Sequence, residues 1–167
     1  MGGSGIDYIY GITTDDAGNS YVTGSATTAA GIATSGTYQS TYAGGTGYGA
    51  GGDVIIIKFD ASGVQQWATY FGDNGNEQGL SIGIDKSNNL YISGSTSSAT
   101  GMATTGAFQT SEVGSYNDVF LAKFTSTGMR IWGTYYGGTV NDRGAQNGLA
   151  VDADANVYFT GTNNTAN

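Results

Sequence analysis

An all-β chain built from copied four-stranded units is the fold class this sequence predicts. Three observations carry the prediction. The block Asn19-Ser20-Tyr21-Val22-Thr23-Gly24 returns as Asn89-Leu90-Tyr91-Ile92-Ser93-Gly94 and again as Asn156-Val157-Tyr158-Phe159-Thr160-Gly161, at spacings of 70 and 67 residues. The stretch Asp53 to Gly72 returns as Asp118 to Gly137 at an offset of 65, with nine of twenty positions identical. A fixed period marks one supersecondary unit that has been copied, with the copies burying apolar faces on each other. Charged residues are only 11% and glycine reaches 30 of 167 residues, but Tyr, Phe, Trp, Val and Ile recur in ordered blocks. That recurrence argues for a packed β protein rather than a disordered one.

Each unit reads as four strands. The first is Tyr8 to Thr14, matched by Leu80 to Ile84 and Gly148 to Val151. Turns rich in Asp, Asn, Ser and Gly follow, at 15–19, 85–89 and 152–156. These residues tolerate left-handed dihedrals or bond their own backbone. The second strand is the tyrosine block. The third is Asp53 to Phe59, matched by Asp118 to Phe124. Its apolar run is continuous rather than alternating, so both faces are expected to be covered. Asp60 to Gly63 and Thr125 to Gly128 turn the chain into the fourth strand, Gln65 to Tyr70 and Arg130 to Tyr135.

A long segment joins the second and third strands. Gly31 to Gln39 aligns with Gly101 to Gln109, so this loop is expected to be ordered, with Tyr38 and Phe108 as packing anchors. The following stretch, Thr41 to Gly52, is five residues longer than Ser111 to Asn117, as expected of a surface loop tip. The period divides the chain into a start segment, 1–4, a first repeat, 5–74, a second, 75–139, and the first half of a third, 140–167.

Four strands per unit, two covered faces and a period of 65–70 predict blades of a β-propeller, four-stranded antiparallel sheets in about two and a half repeats. A β-solenoid is the competing architecture, but its coils are shorter and lack hairpin turns between successive strands. The expectation is an incomplete propeller, completed by oligomerisation or by further sequence, because an unpaired edge invites association.

The residues that carry this pattern also carry a family resemblance. Asp118-Val119-Phe120-Leu121-Ala122-Lys123-Phe124, Gly128, and Trp132-Gly133-Thr134-Tyr135-Tyr136-Gly137-Gly138 resemble the bacterial SBBP beta-propeller repeat. So does the run from Gly148 to Gly161. The resemblance implies a seven-bladed type of propeller and an extracellular or cell-surface setting in large bacterial proteins. It implies no shared catalytic residues. In place of the proline that the family pattern often has after the second strand, this chain has Thr34-Ser35 and Thr104-Thr105.

Charge narrows the partners. The net charge of −8, with five scattered basic residues, opposes nucleic acid and anionic membrane surfaces. No apolar run reaches the ~20 residues a spanning helix needs, so no membrane insertion is expected. Met1-Gly2-Gly3-Ser4-Gly5 lacks the basic and apolar regions of a signal peptide and reads as a start and short linker.

Absence of His and Cys removes Ser-His-Asp and Cys-His nucleophilic arrangements and most zinc sites. Carboxylate chemistry remains. Yet Asp15, Asp85 and Asp152 recur together, as do Asp53 with Asp118, and Asp7 with Glu77 and Asp142. A catalytic acid is needed once, so repeated acids read as turn caps, strand-end bonds or ion pairs, and no catalytic residue is assigned. Asp73 and Glu112 are the least repeated acids and fall in separate loops. Lys58 and Lys123 interrupt apolar strands and are expected to pair with one of the repeated Asp15, Asp85 and Asp152.

Asp152, Asp154 and Asn156 place oxygen-bearing side chains at alternate positions, like the start of a calcium loop, but the other copies have Ala17 and Ser87 in the middle. An Asx turn is preferred, and the negative charge leaves room for weak calcium association; no other cofactor is expected. Gly47 to Gly52 matches a dinucleotide-type glycine pattern but precedes a strand instead of opening a helix, and is rejected. Trp67 and Trp132 recur at one strand position and are assigned to packing between blades. Tyr42, Tyr48 and Tyr116, in the loop tips that do not repeat, are the candidate ligand contacts.

The function expected is a non-enzymatic propeller segment of a secreted or cell-surface bacterial protein. It acts as a scaffold or binds a protein or glycan, with further propeller repeats or copies of itself as partners. The alternatives are a fragment of a carbohydrate-active propeller enzyme, with carboxylates from several blades meeting at a central channel, and an engineered fragment built for propeller assembly.

Overall fold

The computed structural model describes residues 4–28, 31–45, 52–114 and 116–163. Ten strands and no helix occur among them. β1 (Asp7–Thr14), β2 (Ser20–Ala26), β3 (Asp53–Phe59) and β4 (Gln65–Phe71) form one antiparallel sheet in chain order. β5 (Glu77–Ile84), β6 (Leu90–Thr96), β7 (Asp118–Phe124) and β8 (Arg130–Tyr136) form a second with the same order. β9 (Arg143–Val151) and β10 (Val157–Thr162) form a third sheet of two strands. These are two propeller blades and the inner half of another, an unclosed arrangement.

The copied sequence produces copied register. Gly24 faces Ile55 as Gly94 faces Phe120, and Tyr21 faces Lys58 as Tyr91 faces Lys123. The inner pair carries a bulge in each full blade, between Ile9 and Gly11 and between Gly79 and Ser81. The third copy departs from this. In β9 the partners of Phe159 and Gly161 are Leu149 and Gly144, so the chain bulges further here. Asn147 takes a left-handed φ of 54° within the bulge, a conformation Asn tolerates better than most residues. This insertion is why the offset is 67 for Gly161 but 65 for Asp142.

The third strands lie at the centre of the packing. Val54, Ile55, Ile56 and Ile57 are each at most 2% exposed. Alternation sends them to two clusters. Val54 and Ile56 point at the second blade and join Ile82, Leu90, Ile92, Phe120, Ala122 and Phe124 between the sheets. Ile55 and Ile57 point the other way and pack with Val22, Ala68, Tyr70 and the loop residue Ile32. Both faces are covered, as the continuous apolar run predicts, and each fully buried side chain contributes ~1.5–3 kcal/mol.

The long loop is ordered where it repeats, but its two anchors differ. Tyr38 sits edge-on to Phe71 of its own blade and to Phe124 of the next, with centroids 6.1 and 5.9 Å away. Phe108 does not anchor anything comparable. It is 82% exposed and only stacks on Tyr136 at 5.9 Å. The expectation of two equivalent anchors is corrected here. The anchor needs a phenylalanine from the third strand of the following blade, and beside Phe108 the described residues provide none.

Candidate functional site

Two features stand out when the repeated polar residues are built up from their strands. The first is a network at one end of each blade. Asp15 accepts the backbone N–H groups of Ala17 and Asn19 on Oδ1, and the Asn19 amide and Tyr21 hydroxyl on Oδ2. Asp85 does the same with Ser87, Asn89 and Tyr91. Asp152 repeats it with Asp154, Asn156 and Tyr158. An Asx turn and a strand tyrosine thus share one carboxylate.

In the two full blades this network receives a lysine from the third strand. Lys123 Nζ lies 3.4 Å from Asp85 and 4.7 Å from the Tyr91 ring centre. Lys58 Nζ lies 5.1 Å from the Tyr21 ring centre. The expected lysine–aspartate ion pair is therefore present for Lys123, while Lys58 is placed over its tyrosine. In the third copy Asp152 and Tyr158 stand without such a lysine among the described residues, and Tyr158 is 59% exposed where Tyr21 and Tyr91 are buried.

A groove of about 500 Å³ runs along the outer edge of β10 from Phe159 onward, lined by Val119, Tyr136, Asp142, Phe159 and Gly161 among others. Tyr136 meets Phe159 edge-on at 5.5 Å. The groove occupies the place that β3 and β7 occupy beside β2 and β6.

The second feature is a set of buried acids at the other end of the third strands. Asp53, Glu77 and Asp118 are 0% exposed and Asp142 is 1% exposed. Asp53 Oδ2 accepts the Gln39 amide at 2.8 Å and the Ala43 N–H at 2.9 Å. Asp118 Oδ2 accepts the Gln109 amide and the Val113 N–H in the same way, at 2.9 and 3.2 Å. Glu77 Oε1 accepts the hydroxyls of Thr96 and Ser98 at 2.8 and 2.7 Å. Burial pushes Asp53 up to about 6 and Glu77 up to about 7 in spite of these bonds. Burial also raises Asp118.

The candidate residues named from sequence fall in separate places. Tyr42 is half-buried, its ring edge-on to Tyr70 at 6.1 Å, so it packs the loop. Tyr116 is 60% exposed on the loop before β7. Tyr48, like most of the glycine-rich Gly47 to Gly52 stretch, lies outside the described residues. Asp152, Asp154 and Asn156 come together, but the Asp152 oxygens are engaged by their own turn, as in an Asx turn. No cluster of three acidic side chains able to hold a metal occurs among the described residues. Asp73 accepts the Thr100 hydroxyl, and Glu112 accepts the Tyr116 N–H. The adjacency of Asp53 to Glu77, and the groove at β10, escaped the sequence reading. The recurrence of both acids was the available signal for the first.

Residues 1–34 and 66–99 match the family model of the SBBP beta-propeller repeat. Those two stretches carry SBBP repeats. The second match begins in β4 and runs through β5 and β6, so each matched stretch contains the inner strand pair of a blade. No curated protein matches the chain. A propeller module of structural or binding type follows from the repeats, and no helix among the described residues is long and apolar enough to cross a membrane.

Proposed function

We propose that this chain is a non-catalytic propeller module of a secreted or cell-surface bacterial protein, and that it works by taking a further propeller strand at the edge of β10. One observation carries the proposal. The Asp152–Asn156–Tyr158 network reproduces the two networks that each receive a lysine from an adjacent third strand, and its own edge carries no strand among the described residues. The partner recognised is an extended segment of the form Asp-Val, three apolar residues, Lys-Phe, as in Asp53 to Phe59. Main-chain bonds to β10 supply affinity, and the lysine at Asp152 supplies register. Such a segment belongs to further propeller repeats or to a second copy of the chain.

A non-enzymatic role is supported by where the acids go. Asp15, Asp60, Asp85 and Asp152 cap turns, and Asp53, Glu77 and Asp118 are buried between strands. The secreted setting is supported by the occurrence that the family resemblance implies.

A labelled peptide with the sequence 118–136, a third and fourth strand, tests the proposal. It is expected to bind the chain saturably, with Kd at or below about 100 μM. Replacing its lysine by Glu, or making Asp152→Asn in the chain, is expected to weaken binding about tenfold. Binding that ignores both changes, or no binding at all, overturns it.

A further inference from the structure

The buried acids meet at the contact between blades. Glu77 opens β5 and its N–H donates to the carbonyl of Gly52, the residue before Asp53, at 2.6 Å. Asp142 repeats this in the next contact, its N–H donating to the carbonyl of Asn117, the residue before Asp118, at 2.8 Å. The backbone therefore sets one blade's first acid against the preceding blade's third-strand aspartate, twice.

The two side chains are close. A Cβ on Gly72 would lie 2.5 Å from Glu77 Oε2 and 2.8 Å from Asp53 Oδ1, so these oxygens are at most about 5.3 Å apart, inside the range where charges couple strongly. Gly137 stands against Asp118 as Gly72 stands against Asp53. Asp53 Oδ1 and Asp118 Oδ1 are buried without a hydrogen-bond partner. A carboxylate oxygen left so is costly, and the same vacancy in both copies makes it a property of the repeat.

We propose that Asp53 and Glu77 hold one proton between them, and that this proton fastens the first blade to the second. Protonation makes one carboxyl a donor, which satisfies the unpartnered oxygen, and leaves a single buried charge instead of two. When the proton leaves to solvent, two like charges face each other without a counterion. The groups that act on the pair are Asp73 from the β4–β5 loop, Tyr42 from the β2–β3 loop, Tyr70 of β4 and Tyr135 of β8. Each is acidic or phenolic, and none of these four is a lysine or arginine. Asp118, with Glu112 and Asp142 near it, is raised in the same direction, by burial first.

The direction follows from linkage. Both folded-state values stand above the unfolded values, so the stabilisation is complete below the ordinary carboxyl range and is lost as pH rises through about 6 to 7. The ordinary buried aspartate behaves oppositely.

Denaturant unfolding of the whole chain across about pH 5 to 8 tests this. The unfolding constant is expected to rise at least about tenfold over that range. Glu77→Gln is expected to remove the larger part of the rise, and Glu77→Gln with Asp53→Asn to remove most of what remains. Infrared spectroscopy of the unmodified chain gives a readout that needs no variant: a protonated-carboxyl stretch present near pH 6 and gone near pH 9. A flat stability profile, or no such band near pH 6, overturns the proposal. So does calcium chloride that restores the lost stability at pH 8 in the unmodified chain and not in Asp53→Asn, because the pair then holds a cation instead.

Discussion

The indole N–H of Trp67 donates to the carbonyl of Ser126 at 3.0 Å, so a side chain of β4 bonds the β7–β8 turn of the neighbouring blade. The same ring lies against Gly128, which takes a φ of +83°. Gly63 is its copy in the first blade, with φ +81°, but nothing lies within 4 Å of the position a Cβ would take there. One turn is shaped by backbone alone, the other by backbone and a neighbour.

That difference makes a paired prediction. Gly63→Ala meets only left-handed strain and is expected to cost ~1 kcal/mol. Gly128→Ala adds a methyl 3.0 Å from the Trp67 ring and must displace it, raising the cost to ~3 kcal/mol. Urea unfolding of the two variants checks the gap. Equal losses would mean that the indole yields freely.

The loop anchors predict a second asymmetry. Tyr38 fills the contact between blades, and the Arg130 guanidinium lies over its ring at 4.6 Å while donating to the carbonyl of Gly101. Tyr38→Ala is expected to cost ~2–3 kcal/mol, and Phe108→Ala under ~0.5 kcal/mol. Calorimetric or urea midpoints decide it. If a further strand occupies the groove at β10, the Phe108 variant is expected to become costly in the presence of that partner.

This contrast also shows how far sequence carries. Strands β3 and β7 end where the apolar runs end, because two copies of one pattern reinforce each other and the turn residues bound them. The lysine–aspartate pairing was legible for the same reason. Phe108 was not, since its environment depends on the blade after it and not on its own repeat. The Asp53–Glu77 contact was not, since sequence reveals which residues recur and not which blades bring them together. The bulge in β9 was visible only as a change of offset, which a loop insertion would equally produce.

The ion pair of Lys123 and Asp85 gives a third prediction, opposite in sign to that of the interblade acids. Burial alone would raise the Asp85 carboxyl, but the Asn89 side chain and N–H, the Tyr91 hydroxyl and the Ser87 N–H together hold it below its ordinary value. Burial alone would lower Lys123, but Tyr91 and Asp85 hold it above. The Asp85 contribution is therefore complete above the ordinary aspartate value near ~4 and is lost as pH falls through the lower folded value. The Lys123 contribution is complete below ~10.4 and is lost as pH rises through the higher one. Between these limits the pair adds a constant term, so a slope from about pH 5 to 8 belongs to the buried acids Asp53, Glu77 and Asp118. Lys123→Met leaves the buried Asp85 without its cation but with its turn bonds intact, and is expected to cost ~1–2 kcal/mol. Asp85→Asn is expected to make the acid limb below about pH 4 shallower, Asp15, Asp60 and Asp152 supplying the rest, and to leave the middle window untouched. A middle-window slope that changes in Asp85→Asn would show that the two ends of the blade are coupled, against the separation on which both pH assignments stand.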